Sequence, residues 1–322
     1  MVMAQSLFIT LKQQYPDSLI DVLAPSWSLA LLERMPEVNQ SISMPLGHGQ
    51  FDLAGRYRLG RQLAQNAYDL AIVLPNSWKS ALIPFFAGIP LRRGYIGECR
   101  WGLLNQAYSL DKRLLTMTVQ RFVALGLSDN EALPPHYSAP RLRISLLQQQ
   151  EVQEAFQLDE AKPVLALCPG AEYGPAKRWP VEHFAQLAQQ VISQGWQVWL
   201  LGSDKDKSVA EQIAQSAGDG CRNFAGLTSL GQAVDLLSLA DQVVSNDSGL
   251  MHVAAALGKP LVALYGSSDP GFTPPLSDDA KVINQHLPCS PCFKRECPLG
   301  HTQCLTDISP AQVMNALGIA GR

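Results

Sequence analysis

The residues best suited to chemistry sit in turns where an apolar run gives way to small, polar or glycine-rich residues. The longest such stretch is Val243-Val244-Ser245-Asn246-Asp247-Ser248-Gly249-Leu250-Met251-His252-Val253-Ala254-Ala255-Ala256-Leu257-Gly258. An apolar strand ends at Ser245, and a polar turn leads into an Ala-rich helix closed by Gly258. Asp247 or Ser248 can cap that helix, and Gly249 lets a ligand approach the backbone. The free N–H groups and the dipole of the helix start suit a phosphate. His252 follows Ser248 by four residues, one turn along the same face, so it can point to the same ligand. Asp247 would repel a phosphate in direct contact. Its better roles are capping, pairing with a nearby lysine, or accepting hydrogen bonds from sugar hydroxyls. A plain capped helix with a solvated histidine uses the same residues, because such caps are common.

A second turn reads Cys168-Pro169-Gly170-Ala171-Glu172-Tyr173-Gly174-Pro175-Ala176-Lys177-Arg178-Trp179-Pro180. It carries adjacent Lys177 and Arg178 to a helix starting at Pro180. A helix N-terminus prefers anions, so two cations there suit a bound diphosphate better than they suit the helix. A solvated basic loop is the alternative. The third turn, Leu201-Gly202-Ser203-Asp204-Lys205-Asp206-Lys207, offers acidic residues that could bind ribose hydroxyls or simply start a helix. A cluster of cysteines follows, Cys289-x2-Cys292-x4-Cys297-x6-Cys304, with His301 inside it. The first pair suits structural zinc and the second is spaced unusually, so the alternatives are zinc or buried or reactive thiols. No G-x-G-x-x-G opens either half, and G-x-x-x-x-G-K-[ST], G-x-S-x-G and H-E-x-x-H are absent. These absences argue against a nicotinamide enzyme, a P-loop nucleotidase, a serine hydrolase and a zincin.

The elements that must hold these turns alternate between strand and helix. Apolar runs at 19–24, 40–44 and 68–75 predict strands, with helices over 2–15, 27–34 and 52–67 and from Asn76-Ser77 to about Phe86. After a proline-rich stretch over 128–145, a helix near 148–157 opens a second set. Its strands fall at 163–168, 197–201, 241–245 and 260–265, with helices near 180–193, 205–216, 229–238, 248–257 and 309–318. The pattern predicts an α/β protein of two parallel-sheet domains, 1–145 and 146–322, with the natural ligand site in the cleft between them. The chain opens with a helix, whereas doubly wound domains begin with a strand that becomes central.

The chain has 322 residues, 47% hydrophobic and 16% charged, with a net charge of −3. That is ordinary soluble composition, with no global attraction to nucleic acid or anionic lipid. No apolar run reaches the roughly 18 residues that cross a bilayer, and no signal peptide is evident. The expected compartment is the cytoplasm. Lys79, Arg92, Arg93, Arg100, Lys112 and Arg113, interleaved with Trp78, Tyr95 and Trp101, could form a face for a phosphorylated glycolipid or be ordinary surface charge.

Asn246 to Ala254, Pro169 to Pro180 and Leu264-Tyr265-Gly266 together resemble the lipopolysaccharide heptosyltransferases of glycosyltransferase family nine. So do Met44-Pro45-Leu46-Gly47-His48-Gly49 and Leu74-Pro75-Asn76-Ser77-Trp78-Lys79-Ser80-Ala81-Leu82. The likeness runs over nearly the whole chain. It implies a GT-B fold of two Rossmann-like domains facing a cleft, an acceptor domain first and an ADP-heptose domain second. The implied reaction moves L-glycero-D-manno-heptose from ADP-heptose onto heptosyl-Kdo2-lipid A at the inner-membrane surface. It inverts the anomeric centre and uses neither metal nor cofactor. Lys177, Asp247 and His252 would carry the chemistry. Lys177 would contact the diphosphate, with Glu172, Tyr173 and Arg178 near it, Asp206 at the adenosine, and Ser248 and Gly249 around the pyrophosphate. Family members begin with a strand and a Gly-Asp loop whose aspartate is the proposed general base, and this chain starts just after the matching position. The resemblance therefore implies that the first strand of the N-terminal domain is missing, and that roughly a dozen in-frame residues are encoded upstream. A catalytically impaired ADP-sugar-binding protein, or another GT-B-like enzyme such as an epimerase, would share most of these residues.

Overall fold

The computed structural model describes residues 1–47, 49–128, 131–159 and 161–319. His48 of the Met44–Gly49 match and the Asp129-Asn130 pair of the proline-rich stretch lie outside them. The chain forms two compact units, one built mainly from 3–32 and 37–138, the other from 33–36 and 139–322.

The first unit carries α1 (Gln5–Gln14), β1 (Asp21–Pro25), α2 (Leu29–Leu32), β2 (Gln40–Met44), α3 (Leu53–Leu63), β3 (Leu70–Val73), α4 (Trp78–Phe86), β4 (Leu91–Tyr95), β5 (Gln106–Tyr108) and α5 (Thr118–Ala124). Its strands are parallel but fall into two groups, β1-β2 and β3-β4-β5. Tyr68, just before β3, donates its hydroxyl to Asp21 Oδ2 at the start of β1, 2.6 Å away. No strand of the described residues joins β1 to β3, and most positions of both are only half-buried.

The second unit runs α6 (Leu146–Phe156), β6 (Val164–Cys168), α7 (Val181–Ser193), β7 (Gln197–Leu200), α8 (Lys207–Ala217), β8 (Cys221–Asn223), α9 (Leu230–Leu239), β9 (Gln242–Asn246), α10 (Gly249–Ala256), β10 (Leu261–Tyr265), β11 (Ala280–Asn284), α11 (Gln303–Thr306) and α12 (Pro310–Leu317). One all-parallel sheet orders these strands β11-β10-β9-β6-β7-β8. Every residue of β6, β7 and β10 is buried, as expected of strands covered on both faces. Leu165, Leu167, Val244 and Leu264 of the sheet pack with Phe184, Leu187 and Val191 of α7. Ser145, Ser229 and Ser309 cap α6, α9 and α12, each paired with a glutamine three residues on.

The first strand of this unit, β6, lies in the middle, between β9 and β7. The chain winds one way from β6 to β8 and the other way from β9 to β11. The carboxyl ends of β6 and β9 therefore flank a topological switch point, where open α/β sheets bind ligands.

Candidate active site

Loops leaving the two strands at the switch point bring the key residues together. The loop after β6 turns through a short 3-10 segment, Pro175–Lys177, before α7. The loop after β9 enters α10 directly. Lys177 Nζ meets Asp247 Oδ2 at 2.5 Å, with the two side chains 18% and 6% exposed. Of the roles open to Asp247, the structure shows the lysine pair. Ser248 occupies the N-cap position of α10 but makes no side-chain cap bond, leaving the helix start to other acceptors. A Cβ on Gly249 would meet no atom within 4 Å, so the space before the first turn is open. Burial pushes the His252 imidazole down to about 4, Asp247 pulling it up and Lys177 pushing it down. His252 is thus neutral at pH 7, and Lys177 supplies the positive charge.

The basic loop is held from several sides. Trp179, 2% exposed, packs edge-on against Phe184 at 4.8 Å and donates its indole N–H to Ile308 O at 2.8 Å. Asn246, fully buried at the end of β9, accepts from Trp179 N at 3.0 Å and donates to Pro169 O at 2.8 Å. One amide side chain thus ties the loop after β6 to the loop after β9. Tyr173 lies between two cations, Lys177 Nζ 5.2 Å and Arg295 Cζ 5.4 Å from its ring centre, and its hydroxyl donates to Phe293 O. Gly174 has φ +153°, and a Cβ there would lie 2.5 Å from Arg295 O. The 289–304 segment therefore backs directly onto the Lys177 loop.

The remaining candidates line the same edge of the sheet. Asp206 is buried and accepts from Ser203 N and Ser203 Oγ at 3.0 and 2.7 Å. It also faces Arg178 Nη2 at 3.8 Å, so the third turn is a capped, cross-linked turn. The Arg178 Nε has no hydrogen-bond partner among the described residues although it is buried. Glu172 and Lys205 form an exposed pair, and Lys205 beside it holds the Glu172 carboxyl below its ordinary range. Cys289, Cys292, Cys297 and Cys304, all free thiols, line one small cavity with His301.

A family model described as glycosyltransferase family 9 (heptosyltransferase) matches residues 56–303. The chain belongs to glycosyltransferase family 9. It is 49% identical to lipopolysaccharide heptosyltransferase 2 of Salmonella typhimurium and 48% identical to that of Escherichia coli, covering 98% of this chain and 94% of each relative. The solved structure of Escherichia coli ADP-heptose lipopolysaccharide heptosyltransferase II matches with a TM-score of 0.87 at 45% identity, over 99% of this chain and 94% of that one. A family 9 structure from Veillonella parvula, 21% identical, shares the fold with a TM-score of 0.84. The GT-B architecture expected from the motifs is thus that of the solved relatives. Relatives at nearly half identity carry the name heptosyltransferase 2, which favours glycosyl transfer over the epimerase and binding-only alternatives.

In this family 9 glycosyltransferase the basic face expected in the first unit is largely spent on the fold. Arg92 donates to Leu103 O and Ile89 O, and Arg93 to Gln106 Oε1, Leu125 O and Leu127 O. Arg100, 2% exposed, donates to Pro75 O and Tyr95 O. Their donors are turned to backbone carbonyls, so of the two readings left open for this face, these three are engaged in the fold rather than free to meet an anion. Lys112 and Arg113 remain exposed. Asn246 and Trp179 are the positioning residues that sequence reasoning missed. Both lie inside the quoted motifs, where an asparagine ending a buried strand was the available signal. No helix of the described residues is long and apolar enough to cross a membrane.

Proposed function

We propose that this enzyme transfers L-glycero-D-manno-heptose from ADP-heptose to heptosyl-Kdo2-lipid A, inverting the anomeric centre without a catalytic metal. The observation that carries the reading is the Lys177–Asp247 pair beside the open N-terminus of α10, at the switch point of the second sheet. The names of its near-half-identical relatives support the same reaction. In this reading residues 146–322 bind the donor and 1–145 bind the acceptor.

The diphosphate lies against Lys177 and the first-turn N–H groups of α10 around Ser248 and Gly249. Asp247 holds the ammonium in place, so it is already oriented when the donor arrives. The acceptor hydroxyl gives up its proton to solvent as its oxygen bonds the anomeric carbon and the bond to ADP breaks, and negative charge gathers on the departing phosphate. Lys177 and the helix dipole stabilise that charge most in the transition state. Arg178, whose Nε lacks a protein partner among the described residues, adds a second donor. Neutral His252 hydrogen-bonds the sugar or phosphate without a second buried charge. Asp206 acts at the adenosine end by holding the 202–206 turn, while Glu172 and Tyr173 shape the loop beside the phosphates. The acceptor sits at the inner-membrane surface, which the chain, lacking a spanning helix among its described residues, would reach peripherally from the cytoplasm.

The test is a transfer assay with ADP-heptose and purified heptosyl-Kdo2-lipid A, read by mass spectrometry. A product heavier by one heptose, with ADP released in equal amount, is expected. Release of ADP without glycolipid product, or epimerised sugar instead, would rule out the assignment.

A further inference from the structure

We propose that Cys289, Cys292, Cys297 and Cys304 bind one thiophilic divalent metal ion, zinc or iron(II), as a tetrahedral thiolate site that braces the Lys177 loop from behind. The four thiols line one small cavity together with His301 and Ser267. They are half-buried and free, while Pro291, Phe293 to Glu296 and Pro298 to Gly300 around them are exposed. Phe293 is 49% and Leu299 62% exposed, so this segment has little apolar burial to hold its shape. It nevertheless places Phe293 and Thr302 at φ +53° and +51°, left-handed positions that non-glycine residues avoid. A segment that is polar, exposed and conformationally restrained needs a cross-link, and small loops of this kind commonly obtain one from a structural metal.

One further observation points into the cavity. Ser267, 1% exposed, has an Oγ with no hydrogen-bond partner among the described residues and lines the same cavity. Four sulfur donors select zinc or iron over magnesium or calcium. His301 Nδ1 already accepts from Gln303 N at 3.0 Å. Among the described residues no three His, Cys, Asp or Glu side chains are already set as a ligand group, so the proposed site requires the four thiols to rotate toward one another on binding. Each of the four thiols gives up its proton to solvent as its sulfur binds the dication, leaving a site of net charge −2.

The bracing follows from contacts on the other side of the segment. Arg295 O accepts from Ala176 N at 3.0 Å, and Phe293 O accepts from Tyr173 hydroxyl at 2.7 Å. Phe293 N donates to Ser267 O, and Ser290 Oγ to Gly266 O, at 2.7 and 2.6 Å. Cys292 and Cys297 bracket Phe293 and Arg295, so fixing the two sulfurs fixes the surface on which Tyr173 and Ala176 rest. The bracing role rests on the donor-site reading of Lys177, whereas metal binding does not.

The test begins with the full chain purified under reducing conditions and its metal content measured by plasma mass spectrometry. Roughly one zinc or iron per chain is expected, the element deciding between the two. Cys292→Ser and Cys297→Ser should lose the metal and Cys99→Ser, at an exposed cysteine elsewhere, should keep it. Because the serine variants could misfold, the wild-type apoprotein is also titrated with cobalt(II), which should give the intense visible absorption of a tetrahedral thiolate complex. Metal-free protein that takes up no cobalt, or metal retained by both serine variants, overturns the site. Calorimetry with ADP on apo and metal-loaded protein should show at least tenfold weaker binding without metal. Equal ADP affinity overturns the bracing role even where the metal is present, and absence of ADP binding in both forms counts against the donor-site reading instead.

Discussion

Replacing Lys177 by alanine removes the cation directly paired with Asp247 and exposes how the two charges divide their work. Asp247 is 6% exposed on its side chain and 2.5 Å from the ammonium, so truncation leaves a buried carboxylate facing the incoming diphosphate. A charge-assisted hydrogen bond from lysine to phosphate contributes about 1.5–3 kcal/mol. A phosphate about 5 Å from the unpaired carboxylate, at an effective dielectric constant of about 20, adds a repulsion of about 3 kcal/mol. Together these raise the barrier by about 5 kcal/mol, a loss of roughly 10^3- to 10^4-fold in kcat/KM. Lys177→Ala combined with Asp247→Asn removes the repulsion with the lysine and should recover roughly 100-fold of that loss. Initial rates of ADP release with saturating acceptor measure all three proteins. A double variant no faster than Lys177→Ala, or a single variant within tenfold of wild type, would refute the reasoning.

Three further outcomes follow from the same geometry. Asn246→Leu strands Trp179 N–H and Pro169 C=O in the interior, and should lower stability by about 2–4 kcal/mol in urea melts while raising KM for ADP-heptose more than it lowers kcat. Gly170→Ala puts a Cβ 2.4 Å from Asp206 Oδ2, and overpacking there should lower stability by about 1–3 kcal/mol and loosen the 202–206 turn, read as protease sensitivity. For His252 the folded pKa of about 4 lies below its ordinary 6.5, so between these values the unfolded chain binds a proton that the folded chain does not. Stability should therefore fall as pH drops through that window, by roughly 2–3 kcal/mol more in wild type than in His252→Gln. Parallel pH dependence of the two melts would contradict the assignment.

Much of this site is written in the chain where strand ends meet small residues. The runs before Cys168 and Ser245 are apolar enough to announce buried strands, and the turns after them carry the cations, caps and glycine that a phosphate site needs. What the chain hides is written in side chains that work against their type. Leu91-Arg92-Arg93-Gly94-Tyr95 does not read as a strand, because two arginines and a glycine break the apolar pattern. It forms one because both guanidinium groups turn to backbone carbonyls. Gln106–Tyr108 and Cys221–Asn223 are too short for periodicity to declare them. The Lys177–Asp247 pair joins residues 70 apart, a pairing that spacing does not reveal, although a lysine partner for Asp247 was among its open roles. The Asn246 bridge is equally long-range and shows only once the sheet order sets β6 beside β9.

The central claim is that a nucleotide diphosphate is held where the loops after β6 and β9 converge. A crystal structure of the protein with bound ADP tests it most directly. The account requires phosphate oxygens within hydrogen-bond distance of Lys177 Nζ and of the first-turn N–H groups of α10. ADP seated elsewhere, with the Lys177–Asp247 pair untouched, would contradict it.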